Sequence, residues 1–594
     1  MGAVITRSIV IIVLLFTALI SSNAQIDQLR MAQAYEEGGD IRNAARIYLE
    51  LYEKQQGQVR RTAFDGVVRT FLQMEQYQSL LTIVEKAYEE KPTASLAMLA
   101  ATLCVRTGDL NKADGWWKGA IELSGNSEAL NAEIGRDQRQ LLLIDRAITS
   151  FLEARSLSGE PLTYARELAE LYATKGQTAE AVQEVLNVHE YSGNTAATEG
   201  QLAALMTSDS AARIVGSALN GRDLKAGNRL RLWYCQHVGD WKKALELAIA
   251  IDNEERLQGN EVLRFATAAR REGAYDVALA AYERLFTSSD QTALAAAYGY
   301  ARTLDLQFAE QPTPDAATAR GIVDQYRRII DKYPDHPLSA DAMYRSAVLL
   351  DHVLNEGDAS RELLTRLINR WRGTDAALEG VLMLSTIYYA SGSLTGAEDL
   401  LRSTESMDLA NADLKDLIKL KRADLQLFKG SYDSATAMYT SLASRPSSIA
   451  ANDAIDRLGL LILRQEDSVG VAGFVRGLDL REQRKLRDAA VVFQRSAESA
   501  SDKDVADRCR LAAAQSFIDI GSDAEAEQQI EPLIARIPET YLGDRALVLA
   551  ADILERSGDR DGAVAALTTL LVQYPRSILA PETRERIRRL RGDA

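Results

Sequence analysis

Apolar and polar residues along the chain follow the three-to-four-residue spacing of amphipathic helices, and the pattern is clearest from Leu232 to Ile251. This stretch contains two apolar stripes separated by Gly239 and Asp240. Glycine readily adopts the left-handed conformation that ends a helix, and the aspartate that follows can cap the next helix. The stretch therefore predicts two helices joined by a tight turn.

The same turn recurs along almost the whole chain, with an alanine five residues after each glycine. The pairs are Gly39/Ala44, Gly108/Ala113, Gly176/Ala181, Gly239/Ala244, Gly273/Ala278, Gly392/Ala397, Gly430/Ala435, Gly521/Ala526 and Gly558/Ala563. In most of these units a small residue stands seven residues before the glycine, and a bulky residue such as Tyr48 or Tyr282 stands four residues after the alanine. Undisturbed units repeat every 34 residues, as from Ala113 to Ala147.

This phase has a simple explanation in helix packing. Small residues at a crossing let two helix backbones approach closely, and bulky residues one turn away fill the neighbouring space. One hairpin cannot bury its own apolar faces, so consecutive hairpins must stack. We therefore predict an all-α fold of about thirteen to fourteen stacked hairpins, some of them degenerate.

The repeat is irregular at three places. From 195 to 228 aromatic packing residues are missing, and Gly216 and Gly221 interrupt the helical pattern. The prolines of Gln311 to Pro314 disfavour helix and predict a surface loop. A further irregular loop is expected from Gln465 to Gly473. The predicted organisation is a signal peptide (1–24), an N-terminal array (25–194), a middle array with one shortened repeat (195–310), a proline-containing loop (311–318), a C-terminal array with longer repeats (319–580) and a polar capping helix and tail (581–594).

The repeat length, the Gly-x4-Ala phase and the segment YPDHPLSADAMYRSA at 333–347 resemble tetratricopeptide-repeat proteins of the bacterial cell envelope. The longer C-terminal repeats are similar to those of the outer-membrane assembly lipoprotein and of the periplasmic protein associated with the Tol system. The resemblance implies a right-handed superhelical solenoid that binds proteins. The chain departs from the lipoprotein in lacking a lipid-bearing cysteine and in its greater length.

The N-terminus predicts export. Arg7 precedes an apolar run from Ser8 to Ile20, and Ser22 and Ala24 place small residues before a cleavage site. We expect removal of 1–24 and a periplasmic or outer-membrane-associated mature protein. The alternative is an inner-membrane anchor formed by residues 8–20, in which case membrane association would come from that uncleaved segment or from a partner.

Charge and composition exclude several functions. The net charge of −15 disfavours nucleic acid as a partner. The sequence contains no phosphate loop, dinucleotide-binding fingerprint, nucleophile elbow or zinc-protease motif. The four histidines have no metal-ligand spacing, Cys104 and Cys235 are expected in the core, and Cys509 has no obvious disulfide partner. We therefore expect no enzyme activity, no cofactor, no metal and no small-molecule substrate.

These observations favour a non-enzymatic scaffold or adaptor that binds proteins or peptides of the cell envelope. The alternative is an accessory subunit of a cell-wall or exopolysaccharide-processing or export complex. In tetratricopeptide arrays the first helix of each hairpin lines the concave groove. That rule places a partner-binding stripe at Arg229, Trp233, Gln236, His237, Arg270 and Arg271. Aromatic residues and arginines are enriched at binding hot spots. Alternatively, Trp233 packs against the shortened repeat before it.

Overall fold

A computed structural model describes residues 27–224, 226–311 and 315–592. These residues form 32 helices and no strand. The predicted all-α helical-repeat fold is therefore confirmed, whereas the right-handed coiling stays a prediction. The predicted signal peptide (1–24) and residues 312–314 of the predicted proline-containing loop lie outside the described residues.

The chain divides into two compact units, Met1–Arg256 and Leu257–Ala594. The helices of the first unit are α1 (27–37), α2 (Ile41–Lys54), α3 (Gly57–Gln73), α4 (Tyr77–Glu90), α5 (Ala94–Thr107), α6 (Leu110–Ser124), α7 (Glu128–Gln140), α8 (Ile144–Ser158), α9 (Ala165–Lys175), α10 (Thr178–Ser192), α11 (Thr195–Leu205), α12 (Asp209–Asn220), α13 (Gly227–His237) and α14 (Trp241–Glu254).

The helices of the second unit are α15 (Asn260–Arg271), α16 (Tyr275–Glu283), α17 (Asp290–Ala309), α18 (Ala316–Lys332), α19 (Pro337–His352), α20 (Gly357–Arg370), α21 (Asp375–Ala390), α22 (Leu394–Glu405), α23 (Ala412–Phe428), α24 (Tyr432–Ala443), α25 (Ala451–Leu463), α26 (Ser468–Glu482), α27 (Leu486–Ser499), α28 (Lys503–Asp519), α29 (Asp523–Ile534), α30 (Gly543–Ser557), α31 (Arg560–Gln573) and α32 (Ala580–Arg591). Within each unit, a helix packs mainly on its neighbours along the chain.

The repeated turn has the predicted geometry. All nine turn glycines have a positive φ, for example 76° at Gly239. Asp240 caps α14 by accepting a hydrogen bond from the backbone N–H of Lys243 at 3.2 Å. The alanines five residues after the glycines are fully buried, including Ala244 and Ala278. Local sequence therefore determines where each of these hairpins turns and which face it buries.

Two expected interruptions are helical instead. α12 runs through Gly216, because the missing side chain makes room for the phenol of Tyr234 on α13. α26 begins at Ser468, so most of the loop expected from Gln465 to Gly473 is wrong. Its glycines lie against neighbouring side chains; a Cβ on Gly473 would come within 2.1 Å of the Ser496 hydroxyl. Glycine at these positions allows close helix approach and does not end the helix.

The helix count is somewhat higher than thirteen to fourteen hairpins require. Residues 195–224 form a pair of helices, α11 and α12, at the place of the expected shortened repeat. One unexpected helix is α25, which lies between α24 and α26 and packs mainly on α24. The predicted polar helix at the C-terminus is present as α32, and its Thr583 and Ile587 are buried. The arginines of its last turn lie at the helix C-terminus, where the helix dipole favours positive charge.

Candidate functional site

A groove of about 680 Å³ lies within the second unit, between α19, α21, α23 and the turn that joins α26 to α27. The first three of these are the opening helices of their hairpins, the type of helix expected to line a binding surface. The apolar lining residues are Tyr344, Val348, Leu382, Met383, Leu414, Leu417 and Leu420. All of them except Leu420 are only partly buried. The groove therefore presents apolar surface that a partner can cover.

Three polar contacts hold α26 and the following turn against the other walls of the groove. Arg484 forms a bidentate ion pair with Asp351 of α19, with nitrogen–oxygen distances of 2.9 and 2.5 Å. The Tyr389 hydroxyl of α21 donates to Asp479 at 2.5 Å. Lys421 of α23 lies 2.5 Å from Glu482. We call this set of three contacts the clasp.

The clasp joins parts of the chain that are far apart in sequence. Tyr389 and Asp479 are 90 residues apart, and Arg484 and Asp351 are 133 residues apart. The side chain of Asp351 is only 2% exposed, and its polar neighbours are Arg484 and His352, whose Nε2 is 3.4 Å from an Asp351 carboxylate oxygen. An unpaired carboxylate at such a site is costly. The clasp therefore defines one wall of the groove.

Arg484 occupies the turn position where most repeats have glycine, five residues before the buried Ala489. It has a φ of 59°, in the left-handed region that costs a residue with a side chain about 1 kcal/mol or more. Glu75 and Leu142 are left-handed at equivalent turns as well. Of these three side chains, only that of Arg484 binds a buried aspartate from a distant repeat.

The groove also contains two acidic side chains. Asp424 accepts hydrogen bonds from the Tyr439 hydroxyl at 2.6 Å and from Arg457 at 3.2 Å. Glu379, on α21, is half-buried, and burial raises the pKa of its carboxyl group. The sequence analysis did not single out any of these groove residues. The arginine at a turn-glycine position was the one local signal that could have directed attention to them.

The stripe predicted on α13 lies in the first unit. Arg229 forms a bidentate ion pair with Glu255, with its Nε 2.9 Å from Oε1. Trp233 is half-buried and packs on the apolar cluster that includes Leu202 and Leu219, and its ring centroid is 5.5 Å from that of His237. The alternative role of Trp233, packing on the aromatic-poor repeat, therefore has a structural basis. Gln236 is half-buried and His237 is exposed.

Arg270 and Arg271 lie in the second unit, in the last turn of α15. Arg270 is half-buried, and Arg271 is exposed. They therefore belong to a different unit from the predicted residues of α13. The proposed role of all six residues in binding stays a prediction.

The described residues contain no group of three metal-ligating side chains positioned to hold an ion. None of their helices has both the length and the apolar character needed to cross a bilayer.

Comparison with known proteins identifies the repeat. Residues 28–55 and 545–577 match the family described as tetratricopeptide repeat. These segments cover α1 with α2 and α30 with α31 and the turn after it. The chain therefore contains tetratricopeptide repeats at both ends of its described part. No curated protein matches the chain.

Several solved structures are similar over long stretches but at low identity. "Structure of Naa15/Naa10 bound to HypK-THB" has 14% identity over 89% of this chain and 96% of the other, with a TM-score of 0.25. A tetratricopeptide repeat protein from Parabacteroides merdae has 11% identity over 48% and 97%, with a TM-score of 0.24. The chain matched in "Crystal structure of APC/C hetero-tetramer Cut9-Hcn1" has 11% identity over 94% and 95%, with a TM-score of 0.22. Likeness at these TM-scores gives no information about function.

Proposed function

We propose that this protein is a non-enzymatic scaffold or adaptor that binds a segment of a partner protein in the groove between α19, α21 and α23. The observation that carries the proposal is the groove itself, where six partly buried apolar side chains line a cavity of about 680 Å³. Grooves lined mainly by apolar residues with a few fixed polar groups are the usual form of a ligand site.

The clasp supports this proposal because it fixes the groove in one shape. Asp351, Asp479 and their partners connect α26 to α19 and α21 through hydrogen bonds to buried carboxylates. A preformed groove binds with a smaller loss of conformational entropy than one that must be assembled on binding.

We further propose that the protein works in the bacterial cell envelope. The support is in the sequence: Arg7, the apolar run from Ser8 to Ile20 and the small residues Ser22 and Ala24. Mass spectrometry of the N-terminus of the protein purified from its own cells tests this. A mature chain that begins at Gln25 is expected, and a chain that still begins near Met1 contradicts cleavage.

The binding proposal is tested by photocrosslinking in living cells. A photoreactive amino acid replaces Thr386, which lines the groove, and in a matched variant it replaces Thr365, which is exposed on α20. Crosslinked proteins are then identified by mass spectrometry. We expect a reproducible partner from the Thr386 position only. Equal products from both positions, or none from Thr386, would contradict binding in this groove.

The same purified protein tests the absence of catalysis. Incubation with peptidoglycan or exopolysaccharide should leave these substrates unchanged. Release of soluble fragments by the wild-type protein would favour a cell-wall or polysaccharide enzyme instead.

A further inference from the structure

We propose that the groove selects a partner segment that contains one lysine or arginine. This basic residue pairs with Glu379, and the apolar residues next to it in the partner segment cover the apolar side chains of the groove. This inference rests on the proposed binding function and adds the chemistry of the partner to it. It follows from the charges that line the groove and from the surroundings of Glu379.

Among the charged side chains that line the groove, Glu379 is the one for which the described residues provide neither a hydrogen bond nor an ion pair. Lys421 pairs with Glu482 and Arg484 pairs with Asp351. Asp424 is held by Arg457 and Tyr439. His352 contacts Asp351, and the Tyr344 phenol is a neutral neighbour whose pKa is raised by burial and by the charge of Glu379. The groove therefore lacks one cation, and its own cations are already neutralised.

The basic residue that acts on Glu379 is shared with other carboxylates. Arg345 acts on it electrostatically, but the Arg345 guanidinium lies 3.7 Å from Asp341, which also accepts the Tyr298 hydroxyl. Three carboxylates, those of Asp341, Asp305 and Glu379, thus share one arginine. Burial adds to this, because it disfavours the ionised form of Glu379 and raises its pKa.

A bound cation would remove this cost, since a charge-assisted hydrogen bond to a half-buried carboxylate is stronger than one between neutral groups. The apolar residues Leu382 and Met383 lie on the same helix as Glu379 and line the same groove. Lysine and arginine have long apolar stems that can cover such surface while the charged end reaches a carboxylate. An acidic segment would instead be repelled by Glu379.

The test begins with selection of random peptides displayed on phage against the purified full chain, in the wild-type form and as Glu379→Lys. We expect wild-type selections to be enriched in lysine or arginine flanked by apolar residues. The Glu379→Lys variant should select aspartate or glutamate at the same place. The matched control is Glu362→Lys, which makes the same charge change at an exposed position on α20. It should select the wild-type peptides.

The affinity of a synthetic form of the most enriched peptide is then measured by fluorescence anisotropy. Glu379→Gln, which keeps the shape and removes the charge, should weaken binding about tenfold. Replacing the basic residue of the peptide by norleucine should cost a similar factor with wild-type protein and little with Glu379→Gln. Circular dichroism melts confirm that the variants are folded.

The outcomes separate the two proposals. Peptides that are enriched without a basic residue, or that bind Glu379→Gln as tightly as the wild type, overturn the selection by Glu379 alone. If no peptide is enriched, or if Leu417→Asp on the groove floor leaves peptide binding unchanged, binding in this groove is wrong and the inference is wrong with it.

Discussion

The repeats of the first unit and the region from α19 to α27 are built from the same hairpins but are tied together differently. In the first unit, Arg155 of α8 forms a bidentate ion pair with Glu184 of α10, 29 residues away, with both distances 2.7 Å. Arg69 pairs with Glu36, 33 residues away. The second unit also contains the clasp, whose Tyr389–Asp479 and Arg484–Asp351 contacts join residues 90 and 133 positions apart.

The comparison shows that a repeat can be stabilised by its adjacent repeats alone or by contacts with distant repeats as well. A repeat that contacts only its neighbours is stabilised in proportion to its own packing and to the two adjacent interfaces. A contact that closes a long stretch of chain makes distant repeats depend on one another, because its formation requires all the hairpins between them to be in place. Loss of a residue should therefore have local effects in the first unit and wider effects from α19 to α27.

The largest expected losses of stability come from replacing either of two phenylalanines, each of which packs on a glycine of the preceding helix. Phe151 lies against Gly135 in the first unit, and Phe493 lies against Gly477 of α26 in the second. Both rings are fully buried, so each change to alanine should lower the free energy of unfolding by about 3 to 5 kcal/mol.

Hydrogen exchange should distinguish the two variants. Phe151→Ala should lower amide protection near α7 to α10 only. Phe493→Ala should also lower it in α19 and α21, because loosening α26 releases the clasp. Equal, local losses in both variants would show that the clasp does not couple the repeats.

The next effect comes from the two bidentate arginines. Arg155→Ala leaves Glu184 without its arginine at a site where the two side chains are 15% and 10% exposed, and it should cost about 2 to 3 kcal/mol. Arg484→Ala should cost somewhat less, about 2 kcal/mol, because Arg484 is 41% exposed although Asp351 is buried.

Chemical denaturation measures both costs, and groove binding provides the sharper readout. Arg484→Ala should weaken capture of a partner, whereas Arg155→Ala should leave capture unchanged at a temperature where both variants are folded. A capture defect of the same size in both would mean that general loosening, and not the clasp, controls the groove.

A third change tests whether a substitution in the second unit, outside the clasp, affects only the adjacent helices. Ala278, on α16, is fully buried, and replacement by leucine should cost about 1 to 3 kcal/mol through overpacking. Loss of protection should be limited to α15, α16 and α17, since the clasp begins at α19. Reduced protection as far as α26 would contradict this boundary.

The predicted stripe of α13 and α15 gives a fourth comparison. If it binds a partner, Trp233→Ala with Arg270→Glu should abolish capture while the melting temperature changes by only a few degrees, roughly the effect of 1 kcal/mol. Trp233 already packs on the cluster containing Leu202 and Leu219. A much lower melting temperature would show that Trp233 belongs to the core, and normal capture would place the binding surface elsewhere.

The smallest effect concerns the turn position itself. Leu142 is left-handed, with a φ of 60°, and its side chain is 80% exposed. Leu142→Gly should therefore stabilise the first unit slightly, by roughly 0.5 kcal/mol, because glycine adopts this conformation without steric cost. Arg484→Gly should be destabilising despite the same relief, because it removes the clasp. A stabilising effect of Arg484→Gly would show that the clasp does not stabilise the fold.

Local sequence was sufficient to predict the hairpin turns. Gly39, Gly108 and Gly239 have the left-handed backbone that the pattern required, and Ala113 and Ala181 are buried as expected. These features depend on residues within one hairpin or on the next repeat. The same reasoning misread the glycines of α26, because a glycine that ends a helix and one that admits a neighbour look alike in sequence. Only the position of Ser496 against Gly473 distinguishes them.

The sequence alone determined the helical repeat, its phase and the buried small residues, because each is encoded within about one repeat length. Tertiary structure decided the groove, the additional helix α25 and the clasp. Arg484 and Asp351 are 133 residues apart, with no period that relates them. Whether they meet depends on the summed rotations between the hairpins from α19 to α27. Small differences in packing at each step change that sum, so this contact and the place of Glu379 in the same groove could be found only in the folded chain.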